Sequence, residues 1–230
     1  MANLLNALKT NTHLRSLTLD GANSDVELRS MNIVCQALQD FVSKNTTLTY
    51  LSLKRNCLPI KWLSLLEANT TLETLDVTDC KLGPALIPVL NSILHKNSTI
   101  HTLLIGGNNV GKKGILDVFD MLRFNSSILV VDFWRDAVDN DILESAVVTL
   151  QEYNSSLTKV GLSHRYQSRQ CSSSLKSSLE YFRSLNQAGR SMIRNPQTTK
   201  REFVDLLSSS AHSESLLNGL LRDLPHLWSK

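Results

Sequence analysis

The chain is poor in the residues that several protein classes require. Its four cysteines form no CxxC pair, so neither a zinc knuckle nor a dithiol redox site is indicated, and reduced thiols inside a cell are the simpler interpretation. No apolar run approaches the ~18 residues needed to cross a bilayer. The first residues lack a basic segment ahead of a continuous apolar stretch, so no secretory signal is expected. We therefore expect a cytoplasmic protein without a membrane segment.

Charge of neither sign dominates the sequence. The 24 lysine and arginine residues nearly balance the 21 aspartate and glutamate residues, for a formal net charge of +3, so no nucleic-acid partner is expected. Catalytic signatures are missing too: there is no GxSxG, GxGxxG or P-loop, and no two histidines stand four residues apart. The glycine-rich segment 106–111 lacks the Lys-Ser/Thr ending of a phosphate cradle. We expect no enzyme, no cofactor and no metal site.

Leucine is what the sequence has in excess, with 41 of 230 residues. A four-residue motif also recurs, in which an asparagine is followed by two small hydroxyl residues and an aliphatic residue. It starts at five positions, and once more as a variant: Asn45, Asn69, Asn97, Asn125, Asn154 and, for the variant, Asn11. Successive asparagines are 34, 24, 28, 28 and 29 residues apart, which indicates an internal repeat. The five Asn-x-Ser/Thr triplets are formal glycosylation acceptors, and we interpret them as part of this repeat.

The same apolar spacing follows every copy of the motif, as in Leu48, Leu51 and Leu53. Because side chains alternate across a strand, Leu51 and Leu53 lie on one strand face, and the segments 85–96 and 139–153 have helical spacing. The pattern resembles the leucine-rich repeat, L-x-x-L-x-L-x-x-N/C-x-L. Its period near 28 resembles the ribonuclease-inhibitor-like class of that family. The resemblance covers about residues 1–165.

The resemblance implies an α/β fold, namely a curved leucine-rich-repeat solenoid with a parallel sheet on its concave face. We expect about six strand–helix repeats in residues 1–166, and a helical C-terminal cap or small helical subdomain in residues 167–230. The asparagine of each motif is expected to end a helix in the left-handed conformation. A second polar or small residue is expected to point inward and bond the backbone of the loop; this residue is Asn56, Cys80, Asn108 or Asp136, depending on the repeat.

Partner-binding residues are expected where strand side chains point away from the helices. Strand alternation puts positions 3, 5 and 7 of the repeat on the concave face. Two large aromatic residues stand there, Trp134 and Tyr50, each beside charged residues. Trp, Tyr and Arg dominate the energetics of protein interfaces, so we interpret the two aromatics as anchors and the charges as determinants of register and association rate. The full candidate surface comprises Trp134, Tyr50, Arg135, Asp132, Lys54, Arg55, Asp76, Asp79, Leu104, Lys159 and His164.

These patterns predict a monomeric protein-binding module whose partner is another protein. The resemblance to ribonuclease inhibitor makes an enzyme inhibitor or regulator one form of that function. A first alternative is an adaptor, whose repeats hold a target while the C-terminal helices dock other machinery; modules that pathogens deliver into host cells also resemble this pattern. The adaptor would use a faint docking box formed by Arg190, Ile193, Arg194, Leu224 and Pro225. A second alternative is a hydrolase that uses Cys171 and His164.

Overall fold

A computed structural model describes residues 1–21, 28–57, 59–162 and 171–190, with the backbone alone for 28–31. Six short parallel strands form one sheet in chain order. Ser16 pairs with Tyr50, and Tyr50 pairs in turn with Thr74, so equivalent residues of successive repeats stand side by side. An order without crossovers is what stacked repeats produce when each adds one strand. The strands are β1 (Ser16–Thr18), β2 (Tyr50–Ser52), β3 (Thr74–Asp76), β4 (Thr102–Leu104), β5 (Val130–Asp132) and β6 (Lys159–Gly161).

Helices alternate with the strands, and each helix contacts the next one along the chain. None of the helices in the described ranges is long and apolar enough to cross a membrane. The helices are α1 (Ala2–Leu8), α2 (Leu28–Lys44), a 3-10 helix (Ile60–Glu67), α3 (Leu86–Lys96), α4 (Gly111–Leu122), α5 (Asn140–Val148), a π-helical turn (Thr149–Tyr153) and α6 (Ser173–Gln187).

A single hydrophobic core lies between the sheet and the row of helices. The middle residue of each strand is buried in it, as Leu51, Leu75 and Leu103 illustrate. Burying a leucine side chain contributes ~1.5–3 kcal/mol, so every repeat adds to the stability of its neighbours. The ring of Phe133 after β5 lies 5.5 Å from that of Phe119 in α4, measured between centroids. The leucine-rich-repeat solenoid predicted from the sequence is confirmed.

Repeat length decides the type of helix. The repeat from Asn45 to Asn69 is the shortest, and it contains the 3-10 helix. A 3-10 helix rises ~2.0 Å per residue against ~1.5 Å in an α-helix, so fewer residues span the same distance. The repeat from Asn125 to Asn154 is one residue longer than the two 28-residue repeats that precede it. Its helix ends in the π-helical turn, where the backbone N–H of Asn154 donates to the carbonyl of Thr149 at 2.7 Å, and a turn of this kind absorbs one extra residue.

The asparagine of the motif is not left-handed, and that prediction was wrong. Asn97 is extended, with φ −92° and ψ 126°, because its side chain rather than its backbone closes the turn. Its Oδ1 accepts hydrogen bonds from the backbone N–H groups of Thr99 and Ile100, both at 2.9 Å. Its Nδ2 donates to the carbonyls of Leu66 at 2.7 Å and Asn69 at 2.8 Å. The buried amide therefore bonds one repeat to the preceding one.

The inward-pointing residue of the loop behaves as predicted. Asn108 is fully buried, and its Nδ2 donates to the carbonyls of Val77 at 2.9 Å and Ile105 at 2.7 Å. Its Oδ1 accepts from the backbone N–H of Cys80 at 3.0 Å. Buried polar side chains of this kind satisfy loop groups that the strands leave unpaired.

Helix α6 lies beyond residue 167 and shares two features with the repeat helices, namely its packing and an asparagine bridge. Helix α6 begins after Ser172, whose hydroxyl accepts from the backbone N–H of Leu175 at 3.4 Å, and it packs on α5. Near its end, Asn186 reproduces the asparagine bridge. Its Nδ2 donates to the carbonyls of Asn154 at 3.0 Å and Leu157 at 2.8 Å. The first helix of the predicted cap therefore stacks as a further repeat helix.

Arg190 is part of this stacking and not an exposed element of a docking box. It is 1% exposed, and its guanidinium donates to the carbonyls of Leu150 at 2.6 Å and Gln151 at 2.7 Å. Burial of a cation is tolerated here because backbone carbonyls accept its hydrogen bonds. The domain boundary at 166/167 stays a prediction. The other members of the predicted box lie outside the described residues: Ile193, Arg194, Leu224 and Pro225.

Candidate functional site

A row of left-handed residues follows the strands at their carboxyl ends, and we call it the left-handed edge. In each of five repeats, the residue two positions after the last apolar residue of the L-x-x-L-x-L pattern has a positive φ, between 58° and 74°. The loops stack through the backbone, since the N–H of Arg55 donates to the carbonyl of Thr78 at 2.9 Å. This conformation costs an L-residue ~1–2 kcal/mol, yet three of the five residues are charged. The left-handed edge consists of Gly21, Arg55, Asp79, Gly107 and Arg135.

Gly106 and Gly107, in the fourth repeat (the one that contains β4), leave space along this edge because they have no side chains. A Cβ on Gly107 would collide with the carboxylate of Asp79, and a Cβ on Gly106 would collide with the backbone of Trp134. Asp79 therefore reaches across the fourth repeat, and its Oδ2 lies 3.2 Å from a terminal nitrogen of Arg135. From the sequence, these two glycines are predicted only to be loop residues. They are what allows side chains of the third and fifth repeats to meet.

Trp134 is 37% exposed and lies between two cations. The Nζ of Lys54 is 5.4 Å from its ring centroid, and the guanidinium carbon of Arg135 is 5.3 Å from it; both distances suit a cation–π contact. The Oδ1 of Asp132 accepts from the backbone N–H of Trp134 at 2.6 Å. The same carboxylate fits against Gly161, which has no side chain to displace it. The structure thus brings Lys54, which is four residues from Tyr50 in the sequence, into contact with the Trp134 cluster.

An open cleft of about 470 Å³ adjoins this cluster, and we call it the basic cleft. Three of its side chains are cationic and one is a carboxylate. Lys81, Cys57 and Asn109 are not among the residues predicted from the sequence, although each stands four positions after the last aliphatic residue of the L-x-x-L-x-L pattern in its repeat. The position that these three residues share in successive repeats is the signal from which they could have been predicted. The basic cleft is lined by Arg55, Cys57, Asp79, Lys81, Gly107, Asn109 and Arg135.

The remaining candidates lie on the strands themselves or outside the described residues. Tyr50 and Lys159 occupy the first strand position, at the opposite end of the strands from Trp134, and Leu104 is half-buried in β4. Asp76 is only 8% exposed, so its expected exposure is corrected. Its Oδ1 turns back to accept from the backbone N–H of Thr78 at 2.9 Å, which caps the strand end. His164 lies outside the described residues.

Beneath the left-handed edge, Asp136 occupies the inward-pointing position. Its Oδ2 accepts from the backbone N–H of Gly107 at 2.9 Å. Burial raises the pKa of Asp136, and the nearby carboxylates of Asp79 and Asp132 raise it further, while the bond from Gly107 acts in the opposite direction. Burial likewise raises the pKa of the Cys80 thiol to about 12. The Asp136 carboxylate and the Cys80 thiol are buried beneath the left-handed edge, so we assign them a structural role and not contact with a partner.

Cys171, the nucleophile of the hydrolase alternative, is buried. Its Sγ lies 3.5 Å from the carbonyl of Val138, which favours a structural role, since buried cysteines in apolar surroundings are unreactive. In the described part of the chain, no three His, Cys, Asp or Glu side chains are grouped so as to hold a metal ion.

Comparisons with known proteins give a matching family model, similar curated proteins and solved structures of similar fold. A family model described as "Leucine Rich repeat" matches residues 44–58 and 68–85. "NACHT, LRR and PYD domains-containing protein 3" of Homo sapiens is 28% identical over 134 residues, which are 56% of this chain and 13% of that protein. The Bos taurus protein of the same name is 30% identical over 131 residues, with 55% and 13% covered. The chain therefore spans only 13% of the length of these curated relatives.

A solved structure described as "Leiomodin-1 Actin-Binding Site 2" has a TM-score of 0.51 at 14% identity, covering 84% of this chain and 92% of that one. At this identity the likeness concerns the fold alone. The family match, the six stacked repeats and the parallel sheet that they build identify the chain as a leucine-rich-repeat protein.

Proposed function

We propose that the chain is a protein-binding module, which grips a partner protein with the concave face of its sheet and with the left-handed edge. The observation that carries the proposal is Trp134, exposed and held between Lys54 and Arg135. An aromatic residue flanked by cations has the composition of an interface hot spot, where truncation costs ~2 kcal/mol or more. Fixed neighbours also reduce the entropy that the side chain loses on binding.

The backbone of the left-handed edge supports the same proposal. Arg55, Asp79 and Arg135 occupy a conformation in which glycine is favoured, and two other repeats do have glycine there. Residues held in strained conformations cluster at functional sites. The mixture of positive and negative charge along the edge would fix the register of a partner and speed its association.

In this proposal the chain acts as a monomer, without cofactor or catalysis, on another protein. The leiomodin-1 domain, described as an actin-binding site, is a precedent for protein binding by this fold, and its low identity names no partner for this chain. The resemblance to ribonuclease inhibitor favours regulation or inhibition of the bound protein, by analogy of fold. All four thiols are unpaired, as in proteins of reducing compartments, so we propose a cytoplasmic location, in the cell of origin or in a host cell.

Affinity capture from a cell lysate tests this proposal. A Trp134→Ala bait should retain at least about tenfold less of a partner that the wild type captures, because each ~1.4 kcal/mol is a factor of ten in affinity. Adding Tyr50→Ala should reduce capture further. Phe124→Ala is the matched control, since Phe124 is 82% exposed but lies after α4, at the edge where the strands begin.

The thermal unfolding midpoint of each bait shows whether it is folded. Equal capture of the same proteins by the wild type and by Trp134→Ala would refute the proposed surface. A loss caused by Phe124→Ala alone would move the binding site to the opposite edge.

A further inference from the structure

We propose that the basic cleft receives an acidic segment of the partner protein, whose Asp or Glu carboxylates pair with Arg55, Lys81 and Arg135. This inference rests on the protein-binding function proposed above and adds the chemistry of what is bound.

Two of the three cations have no ionic partner of their own. Across the described residues, Arg55 and Lys81 make no ion pair. Arg135 is paired with Asp79 through one terminal nitrogen, but a guanidinium carries five N–H donors, so it can also bind a second carboxylate. Three positive charges against one negative charge leave an excess that a carboxylate ligand would neutralise.

The backbone that carries each cation also has a defined conformation before any ligand arrives. Arg55, Lys81 and Arg135 all have left-handed backbones, with φ of 60°, 55° and 74°, and the N–H of Arg55 is bonded to the next repeat. A fixed backbone lowers the ordering cost of binding. The cleft volume of about 470 Å³ lies within the ~300–1,000 Å³ that ligand sites occupy, which suits a few residues of an extended segment.

The surroundings favour an acidic protein segment over nucleic acid. Asp79 lines the cleft, and the carboxylate of Asp132 is bonded to the backbone of Trp134 in the adjoining cluster, so a phosphodiester backbone of uniform negative charge would meet carboxylates as well as cations. A protein segment can place an acidic residue in the cleft and an apolar residue on the Trp134 ring. The neighbourhood of cations and an exposed aromatic residue therefore fits a mixed acidic and apolar segment.

Fluorescence anisotropy with a labelled hexaglutamate peptide measures the cleft directly. The wild type should bind this probe saturably at low salt, and added sodium chloride should weaken the binding. Replacing Arg55 and Lys81 together by glycine should weaken it at least about tenfold, because two of the three cations are removed. Glycine suits the left-handed backbone at both positions, so the variant keeps the fold. Lys44→Gln is the control: it removes one exposed cation at the end of α2, and it should bind like the wild type.

Asp79→Asn should change the affinity in the opposite direction. It removes the carboxylate that competes for Arg135, and asparagine tolerates the left-handed conformation. We expect the hexaglutamate probe to bind about threefold more tightly. Weaker binding by this variant would show that Asp79 organises the cleft for another ligand and would overturn the inference.

Three results of the binding measurements would overturn the inference that the basic cleft binds an acidic segment. The inference is overturned if the wild type does not bind hexaglutamate, if the double glycine variant binds it equally well, or if only a phosphoserine peptide of the same length binds. In lysate capture, a double glycine variant that keeps a Trp134-dependent partner would overturn the acidic segment and leave the binding function standing. Capture that does not depend on Trp134 would instead overturn the function itself.

Discussion

At Asp136 the inward-pointing position carries a carboxylate, where two other repeats carry an amide. Asn108 shows what the amide does, since its Nδ2 donates to the carbonyl of Ile105 at 2.7 Å. An ionised carboxylate has no hydrogen to donate. Burial also raises the pKa of Asp136, so the folded state binds this proton more tightly than the unfolded state does.

We predict that Asp136→Asn stabilises the protein by about 1 kcal/mol at pH 7, because it removes a buried charge and restores a donor. A raised carboxyl pKa contributes stability fully below the ordinary value of 3.8 and loses it as the pH rises through the folded-state pKa. The advantage of the asparagine variant should therefore shrink as the pH falls from 7 toward 3.8. Urea unfolding of both proteins across this range is the measurement, and an advantage that grows toward acid would contradict the explanation.

The asparagine bridge predicts a large effect from a small change. Asn97→Ala removes four hydrogen bonds to buried or partly buried backbone groups of two repeats and should lower the free energy of unfolding by about 2–4 kcal/mol. Asn91→Ala is the matched control, because Asn91 is exposed on α3 and alanine favours helix there by ~0.5 kcal/mol. Equal effects of the two variants in chemical unfolding would mean that the bridge contributes little.

The same geometry bears on the five glycosylation triplets. In Asn97 the Nδ2 atom that a glycan would modify donates to two backbone carbonyls. Modification of that atom is incompatible with this bridge. The structural interpretation of the triplet made from the sequence agrees with these contacts.

At the scale of elements, helix type compensates for differences in repeat length. Deleting Glu152, an exposed residue of the π-helical turn, gives its repeat the 28-residue length of the two repeats that precede it. We expect a regular α-helix and a change in unfolding free energy within about 1 kcal/mol. Deleting Asp120, which is exposed in α4, should lower the free energy of unfolding by more than about 3 kcal/mol. The deletion rotates the apolar side chains on one side of it by ~100° about the helix axis, away from the core. Guanidinium unfolding compares the two, and equal losses would contradict the compensation.

Elements whose positions depend on local spacing could be predicted from the sequence. The strands around Leu51, Leu75 and Leu103 followed from period-two alternation after each asparagine motif. The 3-10 helix and the π-helical turn did not, because they result from fitting repeats of unequal length to neighbours of fixed spacing. The asparagine bridge of Asn186 could not be predicted either, since it forms without the hydroxyl residues that marked the earlier motifs.

At the scale of the whole molecule, stacking decides which side chains meet. Alternation placed Asp76 on the open face, and its carboxylate instead turns back to the loop. The approach of Lys54 to Trp134 spans several repeats, and the contact of Asp79 with Arg135 depends on Gly107, so no local pattern predicts either contact. The proposed binding surface is therefore a property of the stack, and it requires the repeats on both sides of Gly106 and Gly107.

Fluorine NMR of protein containing fluorotryptophan tests the central claim most directly. The chain has three tryptophans; Trp62 is buried, and Trp134→Phe identifies the resonance of Trp134 by its loss. On titration with a purified partner from the lysate capture, the account predicts that the Trp134 resonance shifts or broadens while that of Trp62 stays in place. A partner that binds and leaves the Trp134 resonance unchanged would contradict the account.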